Sequence, residues 1–84
     1  MFVVYIIQAE LSKKYYIGCT DNLDRRLKEH NSGYSNYTKT QKNWNLKYKE
    51  EYENLADARK REKQIKSWKK RAAIEKLIVT GPIV

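Results

Sequence analysis

The stretch over residues 15–30 constrains the fold more than any other part of this chain of 84 residues. It opens with two tyrosines and an isoleucine at 15–17, and such aromatic and β-branched residues favour a half-buried strand. Gly18 follows, and because glycine adopts backbone conformations closed to other residues, we predict a turn there. Residues 20–22 are Thr, Asp and Asn, all good N-caps, so a helix is predicted over 21–31.

One face of this predicted helix carries an unexpected charge. Leu23, Leu27 and His30 recur at the i, i+4 and i+7 spacing of a helix face, and Arg26 lies on the same face. Arginine is rarely buried without a partner. We therefore expect the Arg26 guanidinium to face a carboxylate or an anionic ligand.

Other segments supply further secondary-structure signals. Residues 2–8 form an apolar run with a β bias, which we expect to pair with the neighbouring strand in a hairpin. Alternating side chains over 45–52 predict a third strand, and Asn54 is placed to cap a second helix. A last helix is predicted over 69–79. Together these signals indicate one α+β domain over residues 1–84.

The net charge of +8 favours a polyanionic partner. Most of the excess lies in one stretch, and its basic residues are Arg59, Lys60, Arg61, Lys63, Lys66, Lys69, Lys70 and Arg71. Basic helices also bind anionic membranes, but the aromatic residues here do not form the large apolar face that membrane docking requires. We therefore expect nucleic acid, and no membrane, as the partner; an acidic protein is a weaker alternative.

Cysteine usage and the N-terminus indicate the compartment. A chain with one cysteine forms no internal disulfide and does not require an oxidising environment. The apolar N-terminal run lacks a basic leader and is far shorter than the roughly 20 residues that span a bilayer. We expect a cytoplasmic protein.

Residues 34–44 are polar, aromatic and basic, without a period, and predict a loop. Tyr34, Tyr37 and Trp44 either stack on bases or pin the loop onto the core, and the sequence leaves both interpretations open. Lysines in this loop and in the basic stretch are candidate phosphate contacts. The predicted contacts are Lys39, Lys42, Lys66, Lys69 and Lys70.

Glu62 is the second charge on an otherwise apolar helical stripe, which Leu55, Ala58 and Ile65 define. Two interpretations of Glu62 and Arg26 are open. In the first interpretation, the two side chains form a buried ion pair, which is costly to desolvate. Alternatively, Glu62 holds a divalent cation such as Mg²⁺, which often takes only one or two carboxylates, and Arg26 contacts a phosphate.

Tyr5 and Tyr16, one on each predicted hairpin strand, are candidates to bind a phosphate or to accept a proton, and core hydrogen bonding is the alternative. His30 titrates near neutral pH and is another candidate, although a lone histidine on an apolar face is more often a core residue. A nucleophilic pair of Cys19 with His30 is disfavoured by their separation along the helix.

Three of these segments together resemble the GIY-YIG nuclease superfamily, in particular its small single-domain bacterial members. Tyr16-Ile17-Gly18 matches the YIG element, and Val3-Val4-Tyr5 stands where GIY is expected, with Val in place of Gly. Arg26 matches the catalytic arginine of the family. The run Arg61-Glu62-Lys63-Gln64-Ile65-Lys66-Ser67-Trp68 is similar to its REKxIKxW stretch.

The resemblance implies a three-stranded antiparallel sheet flanked by about three helices, and metal-dependent hydrolysis of DNA phosphodiesters. It implies that Glu62 binds Mg²⁺ or Mn²⁺ and that Arg26 offsets charge on the phosphoryl oxygens. Tyr5 or His30 is expected to activate or orient the attacking water, with Tyr16 holding the phosphate or the water. Cys19 departs from repair-type members, which can carry a lysine there.

The same resemblance bounds specificity. Larger relatives take their specificity from appended domains, so we expect weak sequence preference here, or a protein partner that directs cleavage, in repair or recombination. DNA is favoured over RNA as the substrate. The alternative is a nucleic-acid-binding module that keeps the nuclease fold with little catalysis.

Overall fold

The computed structural model describes residues 1–32, 43–68 and 70–81. Within these residues an antiparallel sheet is combined with helices, which confirms the α+β class. The elements in chain order are β1 (Phe2–Ala9), β2 (Tyr15–Thr20), α1 (Leu23–Ser32), β3 (Trp44–Tyr52), α2 (Leu55–Lys66) and α3 (Arg71–Thr80).

The three strands form one sheet in the order β2-β1-β3, with both pairings antiparallel, so β1 is the central strand. Side chains alternate between the faces of a strand, and β1 therefore contributes to two cores. Val4 and Ile6 pack on the face covered by α2 and α3. Tyr5 and Ile7 pack on the opposite face, with residues of α1.

The predicted turn at Gly18 is wrong, because β2 continues through this residue to Thr20. Gly18 lies opposite Tyr5 in the β1–β2 register. A Cβ atom on Gly18 would lie 2.4 Å from the hydroxyl oxygen of Tyr5. The glycine is needed for close approach across the sheet, not for a reversal of the chain.

Trp44 begins β3 and is 2 % exposed, within the core on the α1 side of the sheet. Of the two interpretations of this residue, core anchoring is therefore confirmed. The other loop residues named above, Tyr34, Tyr37, Lys39 and Lys42, lie outside the described residues, as does Lys69.

The helix ends follow the predicted capping chemistry within two residues. The Asn54 side chain accepts a hydrogen bond from the Asp57 amide at 2.8 Å, and Asn22 accepts one from Arg25 at 3.1 Å. α3 begins at Arg71, because Lys70 is extended at the N-cap. None of the helices in the described part of the chain has the length and apolar character needed to cross a bilayer.

An ion pair between α2 and β3 fixes the rotation of α2. Arg61 donates from Nε and Nη2 to the two carboxylate oxygens of Glu50, at 3.0 and 3.1 Å. The hydroxyls of Tyr48 and Tyr52 donate to the same carboxylate. Arg61 also lies over the Trp68 ring, 5.5 Å from its centre. Arg61 directly precedes Glu62, the residue that was predicted to bind metal.

Glu50→Gln is expected to lower the free energy of unfolding by about 2–4 kcal/mol, because Arg61 would keep a buried charge without its counterion. Burial opposes ionisation of Glu50, but hydrogen bonds from Arg61, Tyr48 and Tyr52 outweigh it and hold its pKa below the ordinary value. The stabilisation is therefore present above the unfolded-state pKa, near 4.5, and is lost as pH falls through the lower folded-state pKa.

Urea unfolding at pH 7 and at pH 3 measures both effects. The exposed Glu53→Gln is the matched control and is expected to change stability by no more than about 0.5 kcal/mol. Equal stability of Glu50→Gln and Glu53→Gln at pH 7 would show that the Glu50–Arg61 pair does not hold α2 in place.

Candidate active site

Tyr5 is the centre of the candidate site. Its side chain is 1 % exposed and packs over Gly18, and its hydroxyl oxygen lies 2.9 Å from Nε2 of the fully buried His30. The ring of Tyr16 meets His30 edge-on, with 4.7 Å between ring centroids. The sheet and α1 thus bring together three of the predicted site residues.

Burial sets the protonation states of this pair. It raises the pKa of the Tyr5 hydroxyl to about 12, although the Arg26 guanidinium acts in the opposite direction. Burial, together with the positive charge of Arg26, lowers the pKa of His30 to about 4. Both side chains are therefore neutral near pH 7. Because His30 has no exposed surface, the structure favours contact with Tyr5 over contact with bulk water.

Arg26 lies half-buried on α1, and Nη1 donates to Oε1 of Glu29 at 3.0 Å. A carboxylate or an anionic ligand was expected beside Arg26, but the sequence analysis did not identify Glu29 as that carboxylate. Burial opposes the charge of Arg26, but interactions with Glu29, Tyr5 and Tyr16 raise its pKa above the ordinary value. The guanidinium is thus a permanent cation beside both tyrosines.

Glu62 does not pair with Arg26, so the interpretation of a buried ion pair between them is wrong. Its side chain is 16 % exposed, and Oε2 accepts a hydrogen bond from Nζ of Lys66 at 2.9 Å. Burial is the main cause of the raised pKa of the Cys19 thiol, and the negative charge of Glu62 is the second cause. The charge of Glu62 also contributes to the raised pKa of Tyr5. Glu62 therefore belongs to the same electrostatic neighbourhood as the tyrosine.

A polar groove of 390 Å³ lies beside this neighbourhood, between α1, β2 and α2. Arg25, Arg26 and Arg59 line it, together with Cys19 and Glu29. Three arginines against two acids, Asp21 and Glu29, leave the groove with one net positive charge. A phosphate is an anion that guanidinium groups bind in bidentate fashion.

The other predicted residues are placed as follows. Lys66 lines a cavity with Tyr16, on the side of β2 that faces α3. Lys70 is exposed at the N-cap of α3. Cys19 packs with the core on the α2 face of the sheet, whereas Tyr5, the partner of His30, packs on the α1 face. The structure thus does not bring Cys19 and His30 together as a nucleophilic pair.

Glu62 is compatible with one hydrated divalent cation. The described residues contain no group of three His, Cys, Asp or Glu side chains that could form a closed metal cage. Mg²⁺ does not require one, because it keeps several of its waters. One Glu62 oxygen accepts a hydrogen bond from the half-exposed ammonium of Lys66, so a cation already lies against this carboxylate.

Two residues of the site escaped the sequence analysis. Glu29 follows Arg26 by three residues and Arg59 precedes Glu62 by three, so each lies one helical turn from a residue that was recognised. Their spacing was visible in the sequence. Their role was not, because charged residues at this spacing are common on exposed helix faces.

Gly18→Ala is expected to destabilise the protein by about 1–3 kcal/mol, because the new methyl group would overlap the buried Tyr5 ring. For a chain of this size, that corresponds to a fall in Tm of roughly 5–20 °C. Differential scanning calorimetry measures it. An unchanged Tm would show that Tyr5 does not pack against Gly18.

His30 is expected to titrate with a midpoint near pH 4, well below the ordinary value of 6.5, because burial and Arg26 disfavour its charge. It is the one histidine of the chain, so its ring-proton NMR signals need no assignment by mutation. The unfolded state binds the extra proton between these two values, so stability is complete above pH 6.5 and falls as pH drops towards 4. A midpoint at pH 6–7 would contradict a buried, uncharged His30.

Comparison with known proteins agrees with the fold. The profile of the GIY-YIG catalytic domain matches residues 1–76. A UPF0213 protein of Syntrophus aciditrophicus (strain SB) is 42 % identical over 65 residues, which are 75 % of this chain and 74 % of the relative. The solution NMR structure of a UPF0213 protein of Bacillus halodurans superposes with a TM-score of 0.59 and 26 % identity, covering 96 % of this chain and 87 % of the other.

Proposed function

This chain belongs to the GIY-YIG catalytic-domain family, and we propose that it is a divalent-metal-dependent endonuclease that hydrolyses DNA phosphodiester bonds. The observation that carries the proposal is the match to the GIY-YIG catalytic domain over residues 1–76, which include Tyr5, Arg26 and Glu62. These three residues come from three different elements, yet the charges of Arg26 and Glu62 both act on the Tyr5 hydroxyl. Perturbed hydroxyls beside a fixed cation and a carboxylate are typical of catalytic sites.

The roles follow from charge and burial. Arg26 binds the phosphate and offsets the negative charge that develops on its oxygens. Tyr5 and Tyr16 hold the phosphate or the attacking water by their hydroxyls. A divalent cation, Mg²⁺ or Mn²⁺, held by Glu62 would polarise the phosphate and stabilise the leaving oxygen.

Tyr5 and His30 are the two candidates to accept the proton of the attacking water. A hydroxyl whose pKa is about 12 is a poor base at pH 7, and Arg26 lowers that pKa while Glu62 raises it. Neutralising the charge of Glu62 therefore makes Tyr5 a better base. His30 acts on Tyr5 Oη from the buried side, and we propose that it orients the hydroxyl without itself meeting the water.

Affinity for nucleic acid is proposed to come from the basic surface, to which the exposed Lys70 and half-exposed Lys66 contribute. Phosphate contacts carry no sequence information. We therefore propose low sequence specificity, with a partner protein supplying any selectivity. We further propose that DNA is the substrate in preference to RNA, and that the protein acts in the cytoplasm in repair or recombination.

A second candidate is a nucleic-acid-binding module with little catalysis. The ion pair of Glu62 with Lys66 favours it, because a lysine that stays on this carboxylate competes with a metal ion. Binding without metal-dependent cleavage would identify this function.

Nicking of supercoiled plasmid with Mg²⁺, Mn²⁺ or EDTA tests the proposal. Wild type is expected to nick only with metal, and Glu62→Gln and Arg26→Ala are each expected to lose at least about 10²-fold in rate, because each removes stabilisation of the transition state. Glu53→Gln, which removes one exposed carboxylate elsewhere, is expected to cleave at the wild-type rate.

Three results would contradict the endonuclease. Cleavage in EDTA would exclude metal dependence. Equal cleavage by wild type and both variants would place the activity elsewhere. No cleavage, combined with salt-sensitive DNA binding, would support the binding module.

A further inference from the structure

Neither the sequence analysis nor the family match assigns a role in the site to Arg59. It lies on α2 and lines the polar groove that contains Arg26. It also lines a second surface depression, which contains Glu62 and Lys63. Arg59 thus connects the candidate phosphate site with the candidate metal ligand.

Helix geometry explains this placement. Arg59 precedes Glu62 by three residues, so their side chains share one face of α2 and lie about 4.5 Å apart along the helix axis. Arg59 also acts electrostatically on the Cys19 thiol of β2, as Glu62 does. Arg59 of α2 and Cys19 of β2 both line the groove.

Arg59 differs from the other two arginines of the groove in its ion pairing. Arg26 pairs with Glu29 at 3.0 Å, and Arg25 pairs with Asp21 at 3.3 Å and with Glu29 at 3.9 Å. Among residues 1–32, 43–68 and 70–81, Arg59 has no carboxylate partner within ion-pair distance. It is an exposed cation in a cavity whose other arginines are neutralised within α1 or next to it.

We propose that Arg59 is a second phosphate-binding residue, which contacts the nucleic-acid backbone in the groove shared with Arg26. The assignment rests on the proposed function for its ligand class, but it concerns binding and not hydrolysis. An uncompensated guanidinium loses no internal ion pair when it binds a phosphate, and its planar fork permits two parallel hydrogen bonds. Arg59 therefore contributes to affinity more directly than Arg25, which must leave Asp21.

Binding of a fluorescent DNA duplex in EDTA, measured by anisotropy over a series of salt concentrations, tests the proposal without cleavage. Arg59→Ala is expected to bind roughly three- to tenfold more weakly near 100 mM salt, with the slope of log K against log salt reduced by about one. Arg59→Lys is expected to retain the wild-type slope with part of the affinity lost, because it keeps the charge and loses the fork.

Lys47→Ala is the matched control. Lys47 is an exposed cation on β3, at the edge of the sheet opposite β2, and its removal changes the net charge by the same amount. It is expected to leave the affinity within about twofold of wild type, as non-contacting surface charges do. Circular dichroism is expected to show the same fold in all variants, since Arg59 is exposed.

An affinity and salt slope for Arg59→Ala equal to those of Lys47→Ala would overturn the proposal, as would a wild type that binds no DNA. Failure of the endonuclease is distinguishable. A wild type that binds but does not cleave refutes the nuclease, while the salt slopes still decide whether Arg59 contacts a phosphate.

Discussion

Close packing of Tyr5 against Gly18 is the constraint on which the rest of the site depends. Without a side chain on Gly18, the Tyr5 ring lies directly over β2, and its hydroxyl reaches the buried His30 of α1. The same packing brings α1, and with it Arg26, against the sheet. A hydroxyl held by a central strand is better fixed than one on a loop, because neighbouring strands on both sides restrict its movement.

Charges around this hydroxyl are held in internal pairs. Glu29 neutralises Arg26, and Lys66 neutralises Glu62. The Lys66 ammonium is half-exposed, whereas Glu62 is 16 % exposed and Arg26 and Glu29 are each 32 % exposed. Under the proposed function, a phosphate would replace Glu29 as the partner of Arg26, and a metal ion would replace Lys66 as the partner of Glu62. Arg61 differs, because its pairing with Glu50 anchors α2.

The sequence predicted the element types, their order and the Asn54 cap, because these depend on local periodicity and capping chemistry. For α1 it named Asn22 as one of three candidate caps. It failed at Gly18, where a glycine was taken for a turn although its role is to admit a tyrosine from another strand. It also left open the burial of Trp44 and the partners of Arg26 and Glu62. These features depend on contacts between distant segments, and side-chain spacing within one segment does not specify them. Arg59 was missed for the opposite reason, since its charge was visible but the groove that gives it a function was not.

Paramagnetic broadening of NMR signals by substoichiometric Mn²⁺ tests most directly whether Glu62 and Tyr5 face one metal-dependent site. Broadening falls steeply with distance, so signals of Glu62, Cys19 and the Tyr5 ring are predicted to weaken first, while Lys47 on the far strand stays sharp. Glu62→Gln is predicted to abolish this selective loss. Broadening that persists in Glu62→Gln, or that is centred away from Tyr5 and Cys19, would contradict a nuclease site built from these residues.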